Sequence, residues 1–561
     1  MAEKIFLGVA WPYANGSLHT GQIVGAYLPA DIFARYHRAA GNRVLMVSGS
    51  DQHGTPITVR AEQEGRTPAE VAGQFHAEFL DTWQRLGIAW DFYTTTGTEN
   101  HAGVAQDIFL KLLERGDIYE DTMQLPYCTV EQRFLLDRYV EGTCPVCGYD
   151  AARGDQCDNC GRVLDPIDLQ DRRCKFDGSE PELRDSRHFF HRLSAYNRPL
   201  KDWLAAGKGH WRKPVLNWTQ GILAEGLKDR AITRDVQWGV PIPVPGWEDK
   251  RIYVWFEAVI GYLSAAVEWA HRQGDPDAWR DFWQDPDCRH YYFIGKDNIP
   301  FHTLIWPSYL MGYSQATAET YNLPYDVPAN QFQTIRGSKA STSRRLAIWV
   351  PDFLSRYDPD PLRYHLSATM PETSDSDFTW GDFVRRNNDE LVATWGNLVN
   401  RVLTFAYRNF EGAVPRLAED LSGEDRALIA RTEEALAETG RSIGACRFRA
   451  GIEAAMAAAR EANRYVEDNA PWKLIAEDRD RCAAVLYTAI AAISALKVAF
   501  YPYLPFTSQA LHAHLGSEGP VEAGGWRLHL PTPGQPLAEP RPLFRKLEPA
   551  IVEEEDARLG L

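Results

Sequence analysis

Two patterns of hydrophobic residues alternate along the first part of the chain. The apolar runs IFLGVA (5–10) and RVLMVSG (43–49) each lead through a polar turn into a stretch with apolar residues at three- and four-residue spacing. This alternation predicts strand–helix units. In TPAEVAGQFHAEFLDTWQRLG, Thr67 is followed by Pro68 and, three residues after the threonine, by Glu70, which predicts a capping box at a helix start. Residues 1–117 are therefore predicted to be the first half of a doubly wound parallel α/β domain of the Rossmann type.

The rest of the chain divides by pattern. The alternation breaks over 118–230, a turn-rich segment with a cysteine cluster, which predicts an insertion. It resumes over 231–325, with predicted strands RIYVWF from Arg251 and YYFIG from Tyr291. Residues 326–386 carry a basic loop, 387–515 are Ala-rich with helical periodicity, and 516–561 form a Pro- and Gly-rich extension with an acidic tail. We therefore expect a separate α-helical bundle after the α/β domain.

Composition narrows the class without deciding the partner. A chain of 561 residues needs several domains, and 44% apolar with 24% charged residues is typical of a globular protein. The net charge of −16 argues weakly against a general nucleic-acid coat, although a local basic face is compatible with it. No apolar run reaches the ~20 residues needed to span a bilayer, and the start MAEKIFLG lacks a signal-peptide layout. We expect a cytoplasmic protein without a membrane partner.

The stretch PYANGSLHTGQ (12–22) is a strand-to-helix turn at the carboxyl end of the first predicted strand. Ligands bind at such ends, where the next helix offers free N–H groups to an anion. His19 would direct a ring nitrogen at a phosphate, and Gly21 would let a flat purine approach the backbone. Downstream, IRGSKASTSRRLAIWV places Lys339, Ser341 and Ser343 before two arginines, a loop that could close over a triphosphate. Either segment alone is more typical of an ordinary turn or a solvated loop.

Four cysteines have the spacing of a metal site. They form the turns Cys144-Pro-Val-Cys147 and Cys157-Asp-Asn-Cys160. Two C-x2-C turns predict a tetrahedral Zn²⁺ site, and four protein ligands predict a structural rather than a catalytic ion. The other cysteines show no pairing pattern and are expected to be buried free thiols: Cys128, Cys174, Cys288, Cys446 and Cys482.

An ordered set of words runs through nearly the whole chain: AWPYANGSLHTGQ, SGSDQHGTP, the cysteine turns, AITRDVQWGVPIP, YVWFEAVIGY, YYFIGKDNIPFH, KASTS, WGNLVNR and NAPWKL. In these words and their order the chain resembles the methionyl-tRNA synthetases, which are class I aminoacyl-tRNA ligases. His19-Thr20-Gly21-Gln22 stands where that family has its HIGH signature, and Lys339 to Ser343 stands where it has KMSKS. The resemblance implies that the enzyme uses Mg²⁺-ATP to activate L-methionine and transfers the methionyl group to tRNA(Met).

The resemblance also implies roles for individual residues. The catalytic set would be His19, Gly21, Gln22, Lys339 and Ser341. ATP would be bound by Tyr13, His19, Gln22, Gly295, Lys296, Asp297, Lys339 and Thr342. Methionine would be bound by Ala10, Trp11, Tyr13, Asp51, Arg234, Trp255, Ala258, Val259, Tyr262 and His302, with Asp51 holding the α-ammonium. Aromatic walls suit a polarisable thioether.

The helical bundle is where the resemblance places the anticodon. In NAPWKL, Pro471 interrupts a helix and presents Trp472, and WGNLVNR puts Asn400 and Arg401 on a helix. Unpaired bases stack on aromatic rings and hydrogen-bond to amides, so Trp472 and Asn400 are the predicted readers of the CAU anticodon. The dimerising C-terminal extension of some relatives has no counterpart here, which favours a monomer.

Several positions depart from the family pattern. Gln22 replaces the last histidine of HIGH, Thr342 replaces a lysine of KMSKS, Glu257 stands where aspartate is usual, and Gln52 lies in the SDQHGTP loop. An amide donates a weaker hydrogen bond to a phosphate than a charged group does. Three accounts follow: a working methionyl-tRNA ligase, including an inhibitor-insensitive second copy; a paralogue that activates another amino acid or supplies aminoacyl-tRNA to biosynthesis; or a catalytically silent tRNA-binding protein.

Overall fold

The computed structural model describes residues 2–135, 139–154, 157, 159–160, 162, 164–339 and 347–559, with the backbone alone at 338 and 339. In this part of the chain, the central sheet has four parallel strands, in the spatial order Arg289–Phe293, Lys4–Val9, Arg43–Ser50 and Phe92–Thr95. The apolar runs are buried almost throughout, as expected for parallel strands covered on both faces. The predicted doubly wound parallel domain is confirmed.

Helices cover both faces of this sheet. Those of the first half are Thr20–Gln22, Leu28–Ala39, Thr55–Glu64, Pro68–Leu86 and Glu99–Arg115; those of the second half are Val254–Gln273, Arg280–Trp283 and Trp306–Thr317. The predicted capping box is present, since the Thr67 hydroxyl accepts from the Glu70 N–H and the Glu70 carboxylate accepts from the Thr67 N–H at 2.8 Å. π-Helical turns at Ile23–Tyr27 and Phe301–Ile305 interrupt the helices that follow the first and last strands.

The strand predicted over RIYVWF is wrong for most of its length. Only Arg251–Ile252 is a strand, and the helix Val254–Gln273 begins after Tyr253. A helix buried on nearly all sides produces the same continuous apolar run as a buried strand. Because this helix carries part of the binding cavity, we call it the pocket helix.

The insertion is built from antiparallel strands. A long pair, Ile118–Cys128 with Glu182–His191, is joined by Arg133–Phe134 on one side and Arg230–Ala231 on the other. The cysteine turns lie beside a smaller sheet of Val140–Thr143, Ala152–Arg153 and Gln170–Cys174. Helices Asn197–Ala205 and Lys213–Glu225 return the chain toward the central sheet.

A connecting region and a helical bundle follow. The connecting region contains the parallel strands Gln333–Ile335 and Ser376–Phe378, the short strand Ser338–Lys339, and the helices Val350–Leu354, Pro359–Ala368 and Trp380–Arg386. The bundle contains a π-helical segment Asn387–Gly396 and the helices Asn397–Asn409, Gly423–Gly444, Phe448–Asn469, Pro471–Glu477, Arg479–Phe500 and Pro505–His514. Near the end, helix Ile551–Arg558 packs back on the connecting region, where Glu555 accepts from Arg356 at 2.8 Å.

Helix Arg479–Phe500 corrects one sequence expectation. It is long and apolar enough to cross a membrane, so the expectation that no segment of the chain is long enough is wrong. In the structure, however, 94% of its apolar window is buried, because the helix packs at the centre of the bundle.

Candidate active site

A cavity of about 390 Å³ opens at the carboxyl ends of the parallel strands. Its walls come from segments that follow three neighbouring strands, Lys4–Val9, Arg43–Ser50 and Arg289–Phe293. This is the point where the strand order reverses, as in other doubly wound sheets that bind ligands. The predicted residues that line the cavity are Ala10, Trp11, Tyr13, His19, Gly21, Gln22, Asp51, Trp255, Ala258, Val259, Tyr262, Gly295, Asp297 and His302.

Two predicted residues do not line this cavity. The Lys296 ammonium pairs with Asp375 at 2.7 Å and lies over the Phe332 ring. The Arg234 guanidinium lies 3.6 Å over the Tyr253 ring and donates to backbone carbonyls of its own segment. The Lys339 side chain, Ser341 and Thr342 lie outside the described residues.

One end of the cavity holds a buried tyrosine–histidine pair. His302 Nδ1 donates to the Asn298 carbonyl at 2.9 Å, so its Nε2 accepts the Tyr262 hydroxyl proton at 2.7 Å. Burial lowers the pKa of His302 to about 4, which keeps the imidazole neutral. Aromatic rings surround the pair, and Trp255 donates from Nε1 to the Tyr13 hydroxyl at 2.6 Å. This end is apolar with one oriented hydroxyl.

Asp51 places a buried carboxyl group at the cavity. It is 3% exposed, and its Oδ1 accepts from the His53 backbone N–H at 3.2 Å. Its backbone is fixed against the first turn, because its N–H donates to the Pro12 carbonyl and its carbonyl accepts from Ala14. Burial, and next the charge of Glu257, raise the pKa of Asp51 well above its usual range. The attraction of a bound cation would offset both effects.

The HTGQ turn presents two nitrogen groups at the other end. His19 is the N-cap of helix Thr20–Gln22, and the Gln22 Oε1 accepts the His19 N–H at 3.0 Å. Because that oxygen is occupied, the amide nitrogen of Gln22 is the donor left for the cavity. Burial lowers the pKa of His19 to about 4, so its ring is a neutral donor. A Cβ at Gly21 would lie 3.1 Å from the His19 ring, so glycine keeps this turn open.

Both ends of the basic loop lie against this turn. After the loop, the Thr20 N–H donates to the Ile348 carbonyl at 3.0 Å, and the Val350 N–H donates to the Leu18 carbonyl at 2.8 Å. Before the loop, Gln333 lines the same cavity as His19, and the strand Gln333–Ile335 pairs with Ser338–Lys339. The fold therefore brings the segments that flank the second signature, at Gln333 and at Ile348, to the HTGQ turn, which lies more than 300 residues earlier in the chain.

Comparison with known proteins identifies the family of this chain. Residues 5–403 match the family described as tRNA synthetases class I (M), and residues 414–560 match the anticodon binding domain of methionyl tRNA ligase. The methionine--tRNA ligase of Dehalococcoides mccartyi strain 195 is 57% identical over the full length of both chains. This chain belongs to the class I methionyl-tRNA synthetases. The methionine--tRNA ligase of Thermomicrobium roseum is 51% identical over 100% of this synthetase and 99% of its own length.

A solved relative shares the fold of this methionyl-tRNA synthetase. It is the Mycobacterium tuberculosis methionyl-tRNA synthetase in complex with methionyl-adenylate, which superposes with a TM-score of 0.80 at 25% identity. The match covers 97% of this chain and 99% of the mycobacterial chain. The fold is therefore shared along nearly the whole length of both chains.

The cysteine turns of the synthetase can hold a metal ion. The sulfurs of Cys144, Cys147, Cys157 and Cys160 lie within 4.8 Å of one another. Two of the separations, 3.9 Å between Cys144 and Cys160 and 3.6 Å between Cys147 and Cys157, are close to the ~3.8 Å edge of a tetrahedron with ~2.3 Å zinc–sulfur bonds. Burial raises the pKa of Cys157 to about 12, so a cation would have to displace its proton.

Two of the remaining cysteines of the synthetase are not isolated. Cys128 and Cys174 lie with Asp177 in a second group whose ligand atoms are within 4.8 Å of one another. Because Cys128 and Cys174 are far apart in the sequence, their spacing did not predict that they are neighbours in space. The Cys128 thiol donates to Asp177 at 3.0 Å.

The predicted anticodon residues of the synthetase lie on neighbouring helices. Trp472 is 41% exposed at the start of Pro471–Glu477, and the Arg401 guanidinium lies 4.8 Å over its ring. Asn400 is exposed on Asn397–Asn409. An exposed ring held by a cation is a suitable surface for base stacking.

Several lining residues of this synthetase were missed from its sequence. They are Pro12, Gly25, Ala26, Tyr27, Asn298, Phe301, Gln331, Phe332 and Gln333. Asn298 and Phe301 fall inside the word GKDNIPFH and could have been found there. Tyr27 and Phe301 lie on the two π-helical turns, which the pattern of apolar residues does not reveal.

Proposed function

We propose that this protein activates L-methionine with ATP to methionyl-adenylate and transfers the methionyl group to tRNA(Met). One observation carries the proposal: a single cavity joins a buried carboxylate, an apolar end with an oriented hydroxyl, and the HTGQ turn. Full-length relatives bearing the name methionine--tRNA ligase support the choice of amino acid.

Methionine would lie with its side chain at the aromatic end. The thioether would contact Tyr262 and His302. Both side chains are neutral, so they suit an uncharged, polarisable sulfur. Its α-ammonium would pair with Asp51, which then ionises as the charge is compensated. The α-carboxylate would point toward the HTGQ turn. Such a pocket rejects a side chain one methylene shorter by only about 1 to 3 kcal/mol.

Adenylate formation needs no covalent nucleophile from the protein. The methionine carboxylate oxygen attacks the α-phosphorus of ATP, and the bond to the leaving pyrophosphate breaks. Donors from His19 and Gln22, with the Lys339 ammonium from the loop, stabilise the charge on the phosphate oxygens. Gly295 and Asp297, which line the cavity, would face the nucleotide. Positioning of the two substrates supplies the remaining acceleration.

Transfer to tRNA follows in the same site. The terminal ribose hydroxyl of the tRNA attacks the acyl carbon of the adenylate, and AMP leaves. We assign Trp472 and Asn400 to the CAU anticodon, because the ring is exposed and the amide lies on the adjacent helix.

Metal ions have separate roles in this proposal. Mg²⁺ accompanies ATP, and Zn²⁺ is structural in the four-cysteine group, where no ligand position would be left for a substrate. A monomeric state and a cytoplasmic location remain predictions.

Methionine-dependent ATP–pyrophosphate exchange tests the proposal. Robust exchange with methionine supports it. Exchange only with another amino acid would favour a paralogue with a different substrate, and absence of exchange with all amino acids would favour a silent tRNA-binding protein. Charging of tRNA(Met) transcripts with an intact or altered anticodon then tests the second step.

A further inference from the structure

Behind the cavity lies a buried carboxylate that the proposed reaction does not use. Glu257 is in the first turn of the pocket helix, is fully buried, and does not line the cavity, although Trp255, Ala258 and Val259 around it do. A buried carboxylate is costly unless it is hydrogen-bonded or paired. Its partners therefore indicate its role.

Both partners of Glu257 are histidines, and each comes from a different segment. Oε1 contacts His53 Nδ1 at 2.8 Å, and Oε2 contacts His101 Nε2 at 2.5 Å. His53 lies two residues after Asp51, and His101 lies in helix Glu99–Arg115. One side chain thus ties the Asp51 turn and a neighbouring helix to the pocket helix.

The length of the glutamate matters for this bridge. Each carboxylate oxygen is committed to one histidine, and both distances are already short. Removing one methylene would withdraw the carboxylate by about 1.5 Å, so an aspartate could not keep both contacts without movement of the helix. Glu257, where the family usually has aspartate, therefore has the side-chain length that reaches both histidines.

The bridge also has an electrostatic effect on the substrate site. Glu257 places a second negative charge behind Asp51, and the other titratable groups that line the cavity are Tyr13, His19, Tyr27, Tyr262, Asp297 and His302. His53 and His101 are the titratable groups that face Glu257 from the Asp51 turn and from helix Glu99–Arg115. Two nearby carboxylates attract a cation more strongly than one does.

We propose that Glu257 is a positioning residue for the methionine α-ammonium: held by His53 and His101, it orients the Asp51 turn against the pocket helix and adds negative charge behind Asp51. This inference rests on the proposed function, because it assumes that Asp51 receives the ammonium. Glu257 acts through Asp51 and does not touch the substrate.

The test uses Glu257→Gln in the full-length protein, with exchange measured against methionine, ATP and pH. The glutamine keeps the size of the side chain but removes its charge. At pH 8 the KM for methionine should rise about tenfold (~1.4 kcal/mol), while kcat and the KM for ATP stay within about twofold. Because the charge of Glu257 raises the pKa of Asp51, its removal should move the acidic limb of kcat/KM for methionine to lower pH, by about half a unit or more.

Two variants serve as comparisons. Glu257→Asp keeps the charge but loses reach, so the acidic limb should stay near that of the parent while the KM for methionine rises. Glu268→Gln removes another buried glutamate of the same helix, which bonds Thr94 at 2.7 Å, and should leave both the limb and the KM unchanged.

An unmoved acidic limb in Glu257→Gln, or an equal rise in the KM values for methionine and ATP, would overturn the inference. If a variant folds but is inactive, calorimetric binding of methioninol, which keeps the ammonium and the thioether, replaces exchange and should weaken by the same factor. Failure of the proposed function looks different, because the parent protein itself would then lack methionine-dependent exchange.

Discussion

Substitutions of Gln22 can separate its effect on the stability of the HTGQ turn from its effect on the reaction rate. Its two amide ends have different tasks: Oε1 accepts the His19 N–H at 3.0 Å, and the NH₂ group is free to donate toward a phosphate. Replacement by glutamate keeps an acceptor for the His19 N–H but exchanges the donor for a negative charge. Replacement by leucine removes both ends.

The two changes should therefore affect stability and rate differently. Loss of a cap costs about 1 kcal/mol, so Gln22→Leu should lower the free energy of unfolding by roughly that amount and Gln22→Glu should not. Removing one preorganised donor from a developing oxyanion typically costs about 10²-fold in rate, or ~2.7 kcal/mol. We expect pyrophosphate exchange to fall by about that factor in Gln22→Leu and at least as far in Gln22→Glu.

Exchange at saturating methionine and ATP measures the rate effect, and urea unfolding measures stability. Gln22→His is the informative gain-of-function control, since an imidazolium donates a stronger, charge-assisted bond and should raise the exchange rate. Parent-like exchange in Gln22→Glu would refute the reasoning, because it would mean that the amide nitrogen does not face the phosphate.

Four further outcomes are expected. Gly261→Ala would place a Cβ 2.7 Å from the Trp11 ring, so the KM for methionine should rise about tenfold or more while the KM for ATP changes little. Cys144→Ser should reduce the zinc content measured by atomic emission and lower the proteolytic resistance of the insertion, and strong chelators should act in the same way on the parent. Trp472→Ala should raise the KM for tRNA by about 10- to 100-fold and leave pyrophosphate exchange unchanged. Burial lowers the pKa of His302 to about 4 in the folded protein, from 6.5 when the ring is exposed. Because the unfolded chain therefore binds this proton at higher pH than the folded protein does, the free energy of unfolding should fall as the pH decreases from about 6.5 toward 4. Thermal unfolding across that pH range measures this effect.

Much of the fold could be predicted because its determinants are local. Short apolar runs predicted the parallel strands, and Thr67 with Glu70 predicted a helix start that is present in the structure. Prediction failed where a buried strand and a buried helix have the same continuous apolar pattern. RIYVWF was predicted to be a strand, but a helix begins after Tyr253. Helix Arg479–Phe500 has the composition of a membrane span, but its predicted place in the helical bundle is confirmed.

The candidate site divides in the same way. Motif resemblance predicted most of the cavity lining, but not the orientation of Lys296, which pairs with Asp375, or of Arg234, which stacks on Tyr253. Side-chain direction depends on neighbours that are distant in the chain, and a motif does not contain them.

By itself, the sequence determined the kinds of element, the positions of the two signatures and the metal-type spacing of the cysteines, because backbone sterics, capping and ligand geometry act over a few residues. Tertiary structure alone decided which distant groups meet. Glu257 lies 204 residues from His53 and 156 from His101, yet one carboxylate bonds both. Burial in a packed interior, which no short segment specifies, brings such groups together and sets their charge states.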